Sequence, residues 1–504
     1  MLRLFANRLN LKRWSICKLI ALCLSIWITG FLVQAQDLTI SMPQKVPTKV
    51  SEYEIIGKTN EGILVRKWGY KYNELEAYGL YDLKVKWTKE MEFEDKKAKV
   101  IEIIPYASEI LIFYTVKNKR ITSLYARRST PDLRYLGKDV LLDTIEQTFG
   151  GQGFDYFVEK SLNKEHVSIL RYNYDFSGLR SINGIVFDKE LATIHRQSFG
   201  IEEKAEVKTT FLTNEGKLYI AIVKNERPTT SNKQQFDIVN LVEYNPQTDK
   251  KNMVVINKSE EFYLNDIKIK PDNKNQHIVL AGFYAEKQRT DVSNGYFYIF
   301  VDMKTKMVSQ QYFNHFSDHI FPKINANNRL VKNKRVYNLE VKDLLLRNDG
   351  GALLVGETYH TAEQNATRST FDSYYSRQER QLLSHYHEDI VLLSINPDGS
   401  LLWDNVLKKK QFSEDDDGYF ASFGIFNGSQ NLNLIFNEEV SYRTNVNSYV
   451  LTSSGDYKVA NLLNVREYSM MMAPRYGKQL SRQEILIPCF NNRNEFILTK
   501  ITFN

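Results

Sequence analysis

One stretch, Leu339 to Trp403, restricts this chain to a narrow set of architectures because it spells out a complete four-strand unit. Leu339-Glu-Val-Lys-Asp-Leu-Leu-Leu346 reads as a strand, Arg347-Asn-Asp-Gly350 as a turn and Gly351-Ala-Leu-Leu-Val-Gly-Glu-Thr-Tyr359 as the second strand. A polar excursion from His360 to Glu388 separates it from a third strand, Asp389-Ile-Val-Leu-Leu-Ser-Ile395. Asn396-Pro-Asp-Gly399 turns the chain again, and Ser400-Leu-Leu-Trp-Asp-Asn-Val406 is the fourth strand. Asn-Asp-Gly and Asn-Pro-Asp-Gly place glycine where a tight turn needs positive φ, so both mark hairpins. Four antiparallel strands joined by two tight turns and one long connection make one propeller blade.

The same grammar recurs along the chain. Units read from Tyr53, Lys99, Phe154, Val207, Leu264, Phe420 and Ser469 flank the template, giving eight blades, with seven as the alternative. Units of about 50 to 80 residues reach above the usual blade length. Asp266 and Gly282 match Asp343 and Gly356 of the template. The segment from Lys138 to Thr148 reads as either a strand or a short helix. The last unit is one strand short, while Asp37-Leu-Thr-Ile-Ser41 at the opposite end is a free strand of the right length. The expectation is an all-β propeller of four-stranded antiparallel blades, closed by pairing of the N- and C-terminal strands, which hides two sheet edges. Amphipathic helical periodicity is missing, which disfavours βαβ folds; stacked β-sandwich domains are the competing all-β reading.

Residues 1–35 have the features of an export signal: Arg3, Arg8, Lys12, Arg13 and Lys18 with no acid, an apolar run from Leu19 to Val33, and small-residue cleavage after Ala35. The expected organisation is therefore a signal peptide over 1–35 and a single propeller domain over 36–504, with a long inserted loop at 360–388. Membrane attachment follows only if the signal is uncleaved. The leader holds five of the 67 basic residues and none of the 60 acidic ones, so the remainder is nearly charge-balanced and offers no electrostatic footprint for nucleic acid. Cys17 and Cys23 leave with the signal, so Cys489, inside an apolar strand, has no partner for a disulfide and reads as core.

The segment from Asp389 to Trp403, in which a strand runs into Asp398-Gly399 and a tryptophan follows on the next strand, resembles the repeat of secreted bacterial propellers, including quinoprotein-like repeats. Tyr78 to Trp87 is a worn second copy without the Asp-Gly. The resemblance implies the fold and an exported setting, and imports no quinone cofactor.

Second-to-third-strand connections are long in consecutive units, at Asn225–Gln235, Ala285–Asn294, His360–Glu388 and Glu439–Asn447. In a propeller they emerge on the face that also carries the blade-to-blade connections, where binding residues concentrate. The largest excursion supplies the partner-binding candidates Tyr374, Tyr375, Arg377, Arg380 and Tyr386, spaced to permit a short amphipathic helix together with Phe371, Leu382 and Leu383. His315 and His319, four apart around Asp318, and His385 and His387, on one side of a strand beside Glu388 and Asp389, are the weak candidates for a metal. Ser413-Glu-Asp-Asp-Asp-Gly418 fails as a calcium loop and reads as a solvated acidic loop. No nucleophile elbow, zinc-protease motif or phosphate loop occurs, so catalytic residues and cofactors stay unassigned. The expected function is an exported, non-catalytic propeller binding a protein or glycan partner in the cell envelope through the long loops. The alternative is an extracytoplasmic hydrolase or lyase with carboxylates near the central channel.

Overall fold

A computed structural model of the chain describes residues 36–503 apart from 71, 148–152, 177, 203–204, 225–234, 246–249, 259–260, 289–291, 325–333, 366–380, 415 and 465–468. Eight antiparallel sheets follow one another in chain order, each built on four main strands. Blade 6 is the template unit, with strands Leu339–Leu346, Ala352–Asn365, Gln381–Ile395 and Leu401–Leu407. Val140–Glu146 is the fourth strand of blade 2, paired with Ile121–Ala126, which settles the strand-or-helix alternative in favour of strand.

The chain ends close the ring. Gln36–Ile40 pairs antiparallel with Glu495–Phe503, with Leu38 opposite Ile501 and Ile40 opposite Thr499. Ser41 continues the seam: its N–H donates to the Leu498 carbonyl at 2.9 Å and its Oγ accepts the Leu498 N–H at 2.9 Å. Blade 8 thus takes its outermost strand from the start of the described chain, and the edge of the last strand is covered.

Closure is also visible in the cores. Eight apolar clusters each lie between two successive blades, from blades 1 and 2 around to blades 8 and 1. Because a blade is sandwiched on both sides, its middle strands lose the alternation of half-buried strands and become continuous apolar runs. Ile110-Leu-Ile-Phe113 in blade 2 and Val391-Leu-Leu393 in blade 6 are fully buried for this reason. Cys489 belongs to the core between blades 7 and 8, where burial pushes its thiol up to about 12.

First strands line the axis and touch their neighbours from blade 1 through blade 6. In five blades the pairing of this strand slips by one residue near its start, between Ile55 and Gly57, Val100 and Glu102, Val207 and Thr209, Leu264 and Asp266, and Val341 and Asp343. Such bulges re-aim side chains. Asp266 and Asp343 each accept the next residue's N–H and each face a lysine of the preceding blade, Lys208 at 3.2 Å and Lys270 at 2.6 Å. The sequence match of these two aspartates is therefore a structural equivalence. That of Gly282 and Gly356 is not: Gly282 pairs with the residue after Asp266, whereas Gly356 pairs with Val341 on the other side of the bulge.

The loops sort onto two faces. Gly350 and Gly399 adopt φ of +89° and +77° in the two tight turns of the template, as their sequences require. On the opposite face, second-to-third connections join blade-to-blade connections through short ladders. Val292–Ser293 pairs with Val336–Tyr337 and Ser384–His387 pairs with Gln411–Glu414, while Phe236 bridges Leu264 at the start of the next blade's first strand. Blade 6 departs from the expected loop at 360–388: its second strand runs on to Asn365 and its third begins at Gln381, so the excursion rises as a two-stranded ribbon. Leu383 and Tyr386 accordingly lie on a strand and not on a helix. His360 and Tyr386 pair across this ribbon and stack, a cross-strand contact that extends the sheet past the blade.

Candidate functional site

A cleft of about 800 Å³ opens on the loop-bearing face at the mouth of the axis, where blades 1, 7 and 8 meet. Blade 1 contributes Glu52, Tyr53 and Glu54 from the start of its first strand and Trp68 from the end of its second. The connection from blade 6 to blade 7 contributes Asp416, Asp417, Tyr419 and Phe420, and the long loop of blade 7 adds Tyr442. In blade 8 the first strand stops at Met472, and the 3-10 turn Pro474–Tyr476 follows. Pro474 lacks the N–H a ladder needs, and the break places Tyr476 in the cleft. Tyr419 stacks on Tyr476 with ring centres 4.6 Å apart, and Phe490 closes the aromatic floor edge-on to both Tyr419 and Phe420.

The walls combine rings with carboxylates, and among the described lining residues there is no lysine or arginine. Two guanidinium groups of the chain sit at the margin, each over a ring of the wall. Arg475 lies 4.8 Å from the Tyr476 ring centre and donates to the Tyr476 hydroxyl and the Asp417 carbonyl. Arg66 lies 5.2 Å from the Trp68 ring and 3.6 Å from the Glu54 carboxylate. Burial, reinforced by Glu102, raises the Glu54 carboxyl above the ordinary carboxylate value against the opposing pull of Arg66.

Behind the cleft, blade 6 holds a closed polar cluster. Glu357 is fully buried, with the Lys409 ammonium at 2.7 Å, Lys342 at 3.2 Å, His387 Nδ1 at 3.0 Å and the Ser422 hydroxyl at 2.8 Å. Burial alone would raise its carboxyl, but Lys409, the His387 hydrogen bond and Lys342 outweigh it and hold it well below the ordinary range. Burial lowers the His387 imidazole, which in its neutral form donates from Nδ1 to Glu357. Lys409 also donates to Gln411 Oε1 and the His387 carbonyl, and Gln411 donates to the Asn437 carbonyl of blade 7. The cluster pins the strap Lys409–Gly418 against blade 6. Gly418, at φ +64°, packs so close to His387 that a Cβ there would meet Nε2 at 2.9 Å. Asp416 receives the Gly418 N–H at 2.9 Å, and the strap then delivers Asp417 and Tyr419 to the cleft.

The sequence-derived candidates fall elsewhere. Tyr374, Tyr375, Arg377 and Arg380 lie outside the described residues. Tyr386 sits between His360 and Phe412, with ring centres 4.7 and 5.1 Å away. His385 and His387 do share a side of their strand, but they turn to Tyr359 and Glu357 across the hairpin and not to Glu388 or Asp389. His315 ends a strand 3.6 Å from Glu286, and His319 lies in a turn against the buried Asp404, which also accepts the Ser317 hydroxyl. The carboxylate therefore stands between serine and imidazole, an order that cannot activate the serine. Among the described residues no three His, Cys, Asp or Glu side chains are grouped to hold a metal. The cleft itself was missed because its residues come from six separate places in the chain. The one legible signal was the run of acids followed by Tyr419-Phe420, which reads locally as a solvated loop.

A second, larger cavity of about 1140 Å³ lies on blade 2, beside the connection that enters it from blade 1. Its floor holds Arg127, doubly bonded to Asp139 and set among Phe93, Tyr114 and Tyr135 at 4.2–5.4 Å from their ring centres. Lys119, Arg120 and Lys138 on its rim are balanced by Glu94, Asp95 and Glu146.

The eight-bladed ring is the class of protein that fold and cleft define. No family model and no curated protein matches the sequence. Similar solved structures are propellers of low identity. The WD40 domain of SCAP from fission yeast is 10% identical, with 92% of this chain and 98% of that one covered and a TM-score of 0.41. The β-propeller domain of the Trilobed protease from Pyrococcus furiosus is 10% identical over 84% of this chain and 98% of that one, with a TM-score of 0.36. The Dos1 propeller is 8% identical over 76% and 89%, with a TM-score of 0.34.

Proposed function

We propose that this chain is an exported, non-catalytic propeller that binds a protein or glycan partner of the cell envelope on its loop-bearing face, with the axial cleft as the principal contact. The carrying observation is the aromatic and acidic lining of that cleft, assembled from six separate segments on a rigid ring. Export rests on the positive leader and apolar run of residues 1–35. A photo-crosslinking residue at Asp417 tests the reading in cells against the same residue at Ser454 on the tight-turn face. Discrete adducts from position 417 and none from 454 are expected; equal patterns from both would overturn it.

One observation favours a second reading as a hydrolase or lyase. Glu54 is an acid at the axis whose carboxyl is raised, as a proton donor's would be. Among other first-strand acids, Glu102 is matched by Lys160, Asp266 by Lys208 and Asp343 by Lys270, whereas Glu159, its carboxyl also raised by burial, takes a hydrogen bond from Thr210 and is the candidate second carboxylate. Reducing ends released from a soluble polysaccharide by the wild type but not by Glu54→Gln would establish this reading in place of the first.

A further inference from the structure

We infer that the axial cleft recognises a cationic group, a lysine- or arginine-bearing polypeptide segment, and not a neutral glycan; this rests on the binding role proposed for the cleft and names its ligand. The first argument is hydrogen-bonding capacity. Glu52, Asp416 and Asp417 are acceptors only when ionised, and Glu54 is already shared with Arg66, so the ligand must bring donors, and positive charge to offset carboxylates that it covers. A neutral polyhydroxyl ligand brings donors and acceptors in like number and would leave the latter facing an acceptor-rich wall.

The second argument is independent of the acids. Cations are drawn to the faces of Trp and Tyr within about 6 Å. At this cleft the chain seats two guanidinium groups of its own in that way, Arg475 over Tyr476 and Arg66 over Trp68. Tyr419 and Tyr442, half-buried on the same walls, offer further rings to a cation from outside. The cavity on blade 2 is the contrast: its rim carries both signs, and the ring-caged Arg127 is already matched by Asp139.

Fluorescence anisotropy with a labelled octalysine peptide, alongside octaglutamate and a chitin hexasaccharide, provides the test at physiological salt. The expected result is binding of octalysine alone, weakened by at least about fivefold in E52Q/D417N and again in Y419L. E94Q/E146Q, at the other cavity, is expected to leave it unchanged. Both acids of the first variant are exposed, so its fold is not in question, and circular dichroism verifies Y419L. Octalysine binding that ignores the cleft variants or falls with E94Q/E146Q overturns the inference. So does hexasaccharide binding that the cleft variants abolish, although that result would leave the cleft's binding role standing. Absence of all binding combined with crosslinking from position 417 would likewise reject the cation and keep the face.

Discussion

Glu357, which anchors the Lys409 end of one short strap, and Asp417, near the strap's other end, carry charges that the chain treats in opposite ways. Glu357 is sealed among Lys409, Lys342, His387 and Ser422, with every partner supplied by the chain. Asp417 is exposed on the wall of a cleft whose described lining residues include no cation, with Arg475 only at its margin. A buried carboxylate without partners would cost several kcal/mol, so the first arrangement is what folding demands. Folding makes no such demand of the second. The difference separates a cluster that holds the strap in place from a surface that the strap presents.

The largest expected effect comes from breaking the sealed end. Glu357→Gln leaves the Lys409 ammonium buried without its counter-charge and should cost about 3–5 kcal/mol in urea unfolding. Because the cluster holds the strap that carries Asp417 and Tyr419, the folded fraction of this variant should also lose affinity for octalysine. Gly418→Ala forces a Cβ against His387 at positive φ and should cost about 1–3 kcal/mol. Because Gly418 adjoins Asp417 and packs on His387 of the sealed cluster, the substitution should also weaken binding, through displacement of Asp417 and Tyr419. A loss of stability with affinity intact would show that the strap does not position the cleft.

Acid sharpens the same contrast. The His387 imidazole is lowered in the fold, so on acidification the unfolded chain takes up the proton first, from about pH 6.5. Stability supplied by neutral His387 is therefore complete above that pH and declines below it. The urea midpoint of the wild type should fall between pH 7.5 and 5.5, and His387→Gln should flatten that slope. Glu54 carries the opposite sign: its carboxyl is raised, the folded chain binds the proton first, and its contribution declines as pH rises through the ordinary carboxylate range. Glu54→Gln should accordingly be neutral or slightly stabilising at pH 7, the smallest effect of the set.

What could be read from the chain alone divides along similar lines. Blade boundaries were legible because Asn348-Asp-Gly350 and Asn396-Pro-Asp-Gly399 encode their turns locally, and the terminal seam because an unpaired strand at each end has one economical partner. The ribbon above blade 6 was not, since His360, Tyr386 and Phe412 are polar or aromatic residues whose strand state depends on pairing with one another. Nor was the Glu357 cluster: a glutamate in an apolar strand gives no hint that Lys409, fifty residues on, will neutralise it. The Trp403 of the recurring motif proves to cap the next blade, its indole N–H donating to the Ser453 carbonyl at 3.1 Å.

Hydrogen–deuterium exchange on the whole chain, with and without saturating octalysine, addresses the cationic cleft most directly. Protection is predicted at Glu52–Glu54, Asp416–Phe420 and Arg475–Gly477, with the turn at Thr452–Asp456 and the blade 2 strands unchanged. Protection spread over both faces, or confined to the cavity around Arg127, would contradict it.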